Sequence, residues 1–228
     1  MPGLIGFRGQ GMATRKVIIP TLVGKVSTSR VGSLTLTEDL LADIFAWAGG
    51  ASGNAPGAGT PYGGGGGSAG YSRLILPRGT LLAWAPGAGG TSTNNTSGVA
   101  GSDTTVSING VVHGTCQGGR ASNGSVAAAR STSTGFQVNR YGGGSNETGE
   151  QGTAPVWLGT GSRVGGGAGG FNDLFAGTTG EGTTTNSNSG GSTPLTAQPG
   201  AGGDASVDTS YSVYGGYGRV EISLYRLT

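Results

Sequence analysis

The sequence has little of what most folded chains rely on. Charged residues make up only 11 % of its 228 positions, against about a quarter in ordinary soluble domains. The net charge of +2 leaves no basic footprint for nucleic acid and no polybasic anchor for a membrane surface. One cysteine, Cys116, excludes an internal disulfide framework and a cysteine-ligated metal site. One histidine, His113, excludes a two-histidine metal centre within one chain. Long apolar runs are missing: residues 17–19 and 74–76 fall far short of the ~18 that a membrane-spanning helix needs. The start, Met1-Pro2-Gly3-Leu4-Ile5-Gly6, lacks the basic and long apolar regions of a secretory signal, so a soluble chain is expected. Leu, Ile, Val and Phe together supply 42 residues, 18 %. A core this lean needs help from backbone hydrogen bonding or from neighbouring chains.

Glycine is what the chain has in abundance, 52 residues, and with proline it exceeds a quarter of the sequence, the range of low-complexity chains. Strand patterns nevertheless recur between the glycine-rich stretches. Residues 1–14 carry three large apolar side chains, too few to order alone, and read as an arm that lies against something. Residues 15–42 read as a short β segment: Arg15-Lys16-Val17-Ile18-Ile19-Pro20 and residues 31–37 are β-branched and partly alternating. Thr37-Glu38-Asp39 has the chemistry of a helix start, but the following Asp43-Ile44-Phe45-Ala46-Trp47-Ala48 alternates as a strand, so one short turn is the most helix expected. Residues 43–228 form the glycine-rich β domain.

Within that domain, Phe45-Ala46-Trp47-Ala48-Gly49-Gly50 is echoed by Leu82-Ala83-Trp84-Ala85 and its glycine-rich sequel. Tyr71-Ser72-Arg73-Leu74-Ile75-Leu76 is a strand that Pro77-Arg78-Gly79 ends, with residues 80–85 expected to return antiparallel to it. Asn109-Gly110 between Val106-Ser107-Ile108 and Val111-Val112-His113 marks a type I′ hairpin, which pairs Ile108 with Val111 and Val106 with His113. Residues 135–140 and 218–225 supply further strands, the last with Val220, Ile222 and Leu224 inward. The expected core is Phe45, Trp47, Leu74, Leu76, Leu82, Trp84, Ile108, Val220, Ile222 and Leu224. The fold class is therefore all-β, antiparallel and sandwich-like, with long glycine-rich loops at 49–70, 86–104, 142–155, 159–170, 177–194 and 199–206. Loops of that length are improbable as structureless chain; some are expected to pack as polyglycine or polyproline II helices, three residues per turn.

The ordered series Trp47-Ala48-Gly49-Gly50, the five glycines of 63–67 leading to Tyr71-Ser72-Arg73, Pro77-Arg78-Gly79-Thr80, Pro86-Gly87-Ala88-Gly89-Gly90 and the closing Gly216-Tyr217-Gly218-Arg219-Val220-Glu221-Ile222 resembles the glycine-rich domain of bacteriophage tail fibre and other virion-surface proteins. The similarity covers roughly residues 43–225. It implies a non-enzymatic virion structural protein at a tail tip or fibre, working as a homo-oligomer, a trimer by analogy with fibres. On this reading the arm anchors the chain on other virion proteins through Leu4, Ile5, Phe7 and Arg8. The display end would touch a host cell-surface glycan or protein through Tyr141, Trp157, Phe171 and Phe175. Capsid decoration or a head fibre is the alternative placement; a glycine-rich matrix or ice-binding protein is an alternative of another class.

The remaining motifs point away from chemistry. Gly66-Gly67-Ser68-Ala69-Gly70 matches a nucleophile elbow, with Asp103 and His113 in hydrolase order, yet with this glycine and serine content about one such match is expected by chance. No phosphate loop is completed by Lys16 or Lys25, and the calcium nonapeptide fails at Gly166-Gly167-Ala168-Gly169-Gly170-Phe171 for want of an acid. No catalytic residue, cofactor, metal or nucleic-acid partner is expected. Tyr62, Tyr71, Tyr141, Trp157, Phe171, Phe175, Tyr211, Tyr214 and Tyr217 lie in glycine-rich surroundings, where rings either cap the core or serve as stacking platforms.

Overall fold

The fold is taken from a computed structural model, which describes residues 20–53, 64–92, 97–121, 128–144, 200 and 213–227. These residues form strands and connections with no helix. β1 (Pro20–Thr28), β12 (Arg219–Leu227), β3 (Leu40–Trp47), β4 (Ala69–Leu76) and β10 (Val138–Arg140) lie side by side, in that order, in sheet one. Sheet two runs β2 (Gly32–Thr35), β5 (Leu81–Ala85), β7 (Thr104–Ile108), β8 (Val111–Cys116), β9 (Ser133–Thr134). A small ladder pairs β6 (Thr91–Ser92) with β11 (Val213–Tyr214). Every pairing is antiparallel.

The two sheets face each other as the alternation in their strands requires. Along β12, Val220, Ile222 and Leu224 turn inward and are buried, while Arg219, Glu221 and Ser223 are only partly so. They meet Ile44 and Ala46 of β3, and Leu82, Trp84 and Val106 of sheet two, in one apolar cluster. Of the ten expected core residues eight are buried; Leu74 and Ile108 are half-buried at its margin. β3 departs from simple alternation, because all eight of its residues are buried. Its second face, Phe45 and Trp47, forms a separate cluster with Ala69 and Tyr71 on the outer side of sheet one.

Three local expectations are corrected. Residues 37–39 make a bend rather than a helix start, and the strand begins at Leu40; the Asp39 carboxylate accepts from the Arg78 N–H (2.7 Å) across the connection instead of capping. The Pro77–Gly79 turn exists, with Gly79 at φ +84°, but β5 does not return beside β4. β4 already has β3 on one edge and β10 on the other, and the turn is tied to Leu36 by Gly79 N–H→Leu36 O and Leu36 N–H→Thr80 O, so the chain crosses to sheet two. The hairpin turn has the positive φ values of type I′, 52° at Asn109 and 80° at Gly110, and Ile108 pairs with Val111. Val106, however, faces Gly114 and not His113, after a bulge. The Phe136 ring fills the space beside Gly114, where an added Cβ would come within 2.5 Å of it, so only glycine fits opposite Val106. The bulge also turns His113 toward sheet one, as Cys116 is: His113 reaches Ser72 and the Cys116 thiol reaches Ala46 O. The first expected strand, 15–20, lies outside the described residues except for Pro20, where β1 begins.

Candidate functional site

Where β3 ends, the period of the chain changes from two to three. The N–H groups of Ala48, Gly49 and Gly50 donate to three different neighbours, Ser68 O (3.0 Å), Ser102 O (3.1 Å) and Gly216 O (2.8 Å). Ala51 and Ser52 then come back to the first two, at Gly65 O and Val99 O (both 2.9 Å). That return after three residues is the periodicity of an extended helix with three residues per turn and no internal hydrogen bonds. Its carbonyls accept in turn from Gly119 N–H onto Gly49 O (2.7 Å) and Gly90 N–H onto Gly50 O (2.8 Å).

The neighbours close a ring around this central segment. Gly65 donates to Arg120 O, Gly101 to Gly119 O, Ser102 to Ala88 O, Gly215 to Gly90 O, Gly200 to Tyr217 O and Gly67 to Gly200 O, all at 2.7–3.1 Å. Residues 48–53 therefore sit on the axis of six chain segments, each bonded to the next, a hexagonal bundle held mainly by backbone hydrogen bonds. Such packing needs axes closer than a side chain permits. A Cβ on Gly49 would collide with the Ala88 carbonyl, and one on Gly119 with Gly65 O, which is why glycine occupies the contact faces.

This bundle makes the molecule two-ended. Segments leaving β3, β5 and β8 enter it, and segments leading into β4, β7 and β12 come out of it, while the segments after β10 and before β9 lie against its outside at Gly66. Gly53, five residues beyond Ala48, is about 15 Å further out at the ~3 Å rise of such a helix. At the opposite end, Pro20 pairs with Leu227, so β1 begins far from the bundle. There Leu22, Tyr225, Leu41 and Ile75 lie directly across neighbouring strands in one row, with Leu22 54 % and Ile75 69 % exposed.

Residues 28–225 match the family model of a glycine-rich domain. The chain belongs to that family. No curated protein matches it.

The glycine-rich domain places its chemistry-bearing side chains in separate structural roles. Ser68 of the elbow-like motif is buried in the bundle, its hydroxyl shared between Gln117 O (3.1 Å) and Thr132 O (2.8 Å). Asp103 accepts from Gly118 N–H (2.8 Å), and His113 bonds Ser72, so Ser68, Asp103 and His113 are not brought together. Burial, with a smaller contribution from Asp103, pushes the Cys116 thiol well above its ordinary range, which keeps it protonated and inert. Among the described residues no three His, Cys, Asp or Glu side chains converge as a metal site would require.

Of the candidate contact residues, Tyr141 follows β10 directly and is half-buried, with the Arg130 guanidinium 4.5 Å from its ring centroid. Trp157, Phe171 and Phe175 lie outside the described residues, as do the arm residues Leu4, Ile5, Phe7 and Arg8. Tyr71 is a core ring: it stands 4.7 Å from Phe45, and its hydroxyl donates to Asp43 (2.7 Å). Tyr217 is 58 % exposed in the bundle. The sequence reading missed the Asp43 cluster. Asp43 is wholly buried and takes both Nε–H and Nη2–H of Arg73 at 2.7 Å, a bidentate pair across β3 and β4. The available signal was a lone acid inside an apolar strand, which has to find a cation or a donor.

Proposed function

We propose that this glycine-rich domain is a bacteriophage virion structural protein, at a tail tip, a fibre or another surface attachment position. The observation that supports this reading is the two-ended build. Pro20 stands at one end, near a row that leaves Leu22 and Ile75 exposed, while a bundle held mainly by backbone hydrogen bonds lies at the other end. A backbone-bonded plate is indifferent to the sequence of the loops it carries, which suits a display surface. Leu4, Ile5, Phe7 and Arg8 anchor the domain on other virion proteins; Tyr141, Trp157, Phe171 and Phe175 contact a host surface glycan or protein. The domain assembles as a homo-oligomer, preferably a trimer, which supplies the burial that its lean core lacks. Capsid decoration is the alternative placement.

Deleting residues 2–14 is expected to abolish incorporation into the particle while circular dichroism still reports a folded β domain. Trp157→Ala or Phe171→Ala is expected to spare assembly and weaken host adsorption. A truncated protein that is incorporated normally would sink the anchor-and-display reading. Cryo-microscopy of the particle distinguishes tail from capsid, and light scattering of the purified chain tests the oligomer, which a heat-stable monomer would refute.

A further inference from the structure

β9 ends in sheet two and β10 begins in sheet one, so residues 133–140 form a strap over one flank of the sandwich. Gly135, at φ +84°, makes the turn. Gln137 clasps β4, its Oε1 accepting from Arg73 N–H (2.8 Å) and its Nε2 donating to Arg73 O (3.0 Å). The Phe136 ring packs between Gly70 and Gly114 and stands edge-on to the His113 imidazole, centroids 5.9 Å apart.

His113 and Ser72 join these parts. His113 Nε2 lies 2.9 Å from Ser72 Oγ, which also accepts from Gln137 N–H (3.1 Å). Ser72 is wholly buried. A serine hydroxyl has one proton to give. The Ser72 hydroxyl accepts from Gln137 N–H and is buried with no acceptor within reach other than Nε2, so its proton goes to Nε2, which leaves the imidazole neutral and protonated at Nδ1.

We propose that His113 is a proton-controlled latch: protonation of Nε2 takes away the acceptor that the buried Ser72 hydroxyl uses, and the strap 133–140 loosens from β4 in acid. Among the described residues no carboxylate faces the imidazolium. Arg73, the charged residue of β4, is turned to the other face and held by Asp43. Arg140 of β10 shares that face, opposite Ala69. β7, β9 and residues 135–137 carry no charged side chain, and the Cys116 thiol of β8 is bonded to Ala46 O. Burial accordingly holds the His113 pKa below its ordinary value. Half-buried rather than sealed, the ring remains within reach of solvent protons. Arg130 and Tyr141 flank the strap, joined across its base by the Ser131–Gly142 bridge. The latch does not depend on the virion reading.

The chain's single histidine makes the test direct. In the full-length protein, NMR of the imidazole is expected to show an Nδ1–H tautomer that titrates below about 6.5. Hydrogen exchange of amides 133–140, compared with His113→Gln at equal pH so that intrinsic chemistry cancels, is expected to accelerate in the unmutated protein. The gain is at most about tenfold per pH unit below 6.5, since one proton is linked to opening. β12 amides in the same molecule should not follow. Should His113→Gln not fold, the ratio of strap to β12 exchange in the unmutated protein is read from pH 7 to 5 instead. An imidazole titrating at or above 6.5, an unchanged strap ratio, or equal acceleration of β12 overturns the proposal.

Discussion

Gly49→Ala tests the hexagonal bundle at its axis. The added methyl would meet the Ala88 carbonyl carbon at 2.6 Å and its oxygen closer still. Restoring ordinary contact means moving that carbonyl by about an ångström or more. Ala88 O cannot move alone, because it accepts from Ser102 N–H (2.8 Å), whose own carbonyl accepts from Gly49 N–H (3.1 Å). Two hydrogen bonds in a buried setting are strained together, about 2–4 kcal/mol if their groups are left unsatisfied. Overpacking adds about 1–3 kcal/mol, while alanine's smaller unfolded-state entropy returns about 0.4–1 kcal/mol. The expected loss is about 3–5 kcal/mol. Gly110→Ala is the control: an added Cβ there has nothing within 4 Å, and only the φ of +80° resists it, so about 1–2 kcal/mol is expected. Urea denaturation of both full-length variants reads the difference. If Gly49→Ala costs under about 1 kcal/mol, or less than Gly110→Ala, close backbone packing is not what holds the bundle.

Trp84→Ala is expected to cost about 3–5 kcal/mol in the same assay, since the ring is buried in the main core and its Nε1–H donates to Arg30 O; a loss below about 1 kcal/mol would contradict the inward face of β5. Asp43→Ala removes the buried carboxylate that Arg73 and Tyr71 share and should cost about 3–5 kcal/mol, whereas Glu38→Gln, which breaks the exposed Arg226 pair, should leave the midpoint unchanged at physiological ionic strength. Equal losses from the two would refute the burial argument. Overall stability should fall as pH drops below about 6.5, because the folded state holds His113 neutral through burial and the unfolded chain takes up the proton first; thermal melts at pH 7 and 5 check this, and His113→Gln should flatten the difference.

Much of the architecture is legible wherever a rule is local. Asn109-Gly110 fixes its own turn because only those backbones adopt two successive positive φ values cheaply. Val220, Ile222 and Leu224 declare their face through a period of two, and the glycine stretches declare that chains can approach there. The candidate site is legible only in part: Tyr141 stands out among glycines, while Asp43 and the His113–Ser72 contact depend on partners 30 and 41 residues away.

Which segments meet is a tertiary decision. β5 follows a turn that looks like a hairpin, yet both edges of β4 are taken by β3 and β10, so the chain crosses to the facing sheet. His113 is bulged out of register because Phe136, 23 residues later, fills the space beside Gly114. In the bundle, Gly49 donates to Ser102 and Gly50 to Gly216, though one glycine N–H is chemically the same as the next. Side chains label a strand's face, but backbone donors and acceptors carry no label. Their partners are assigned only when the sandwich delivers each segment to its place in the ring.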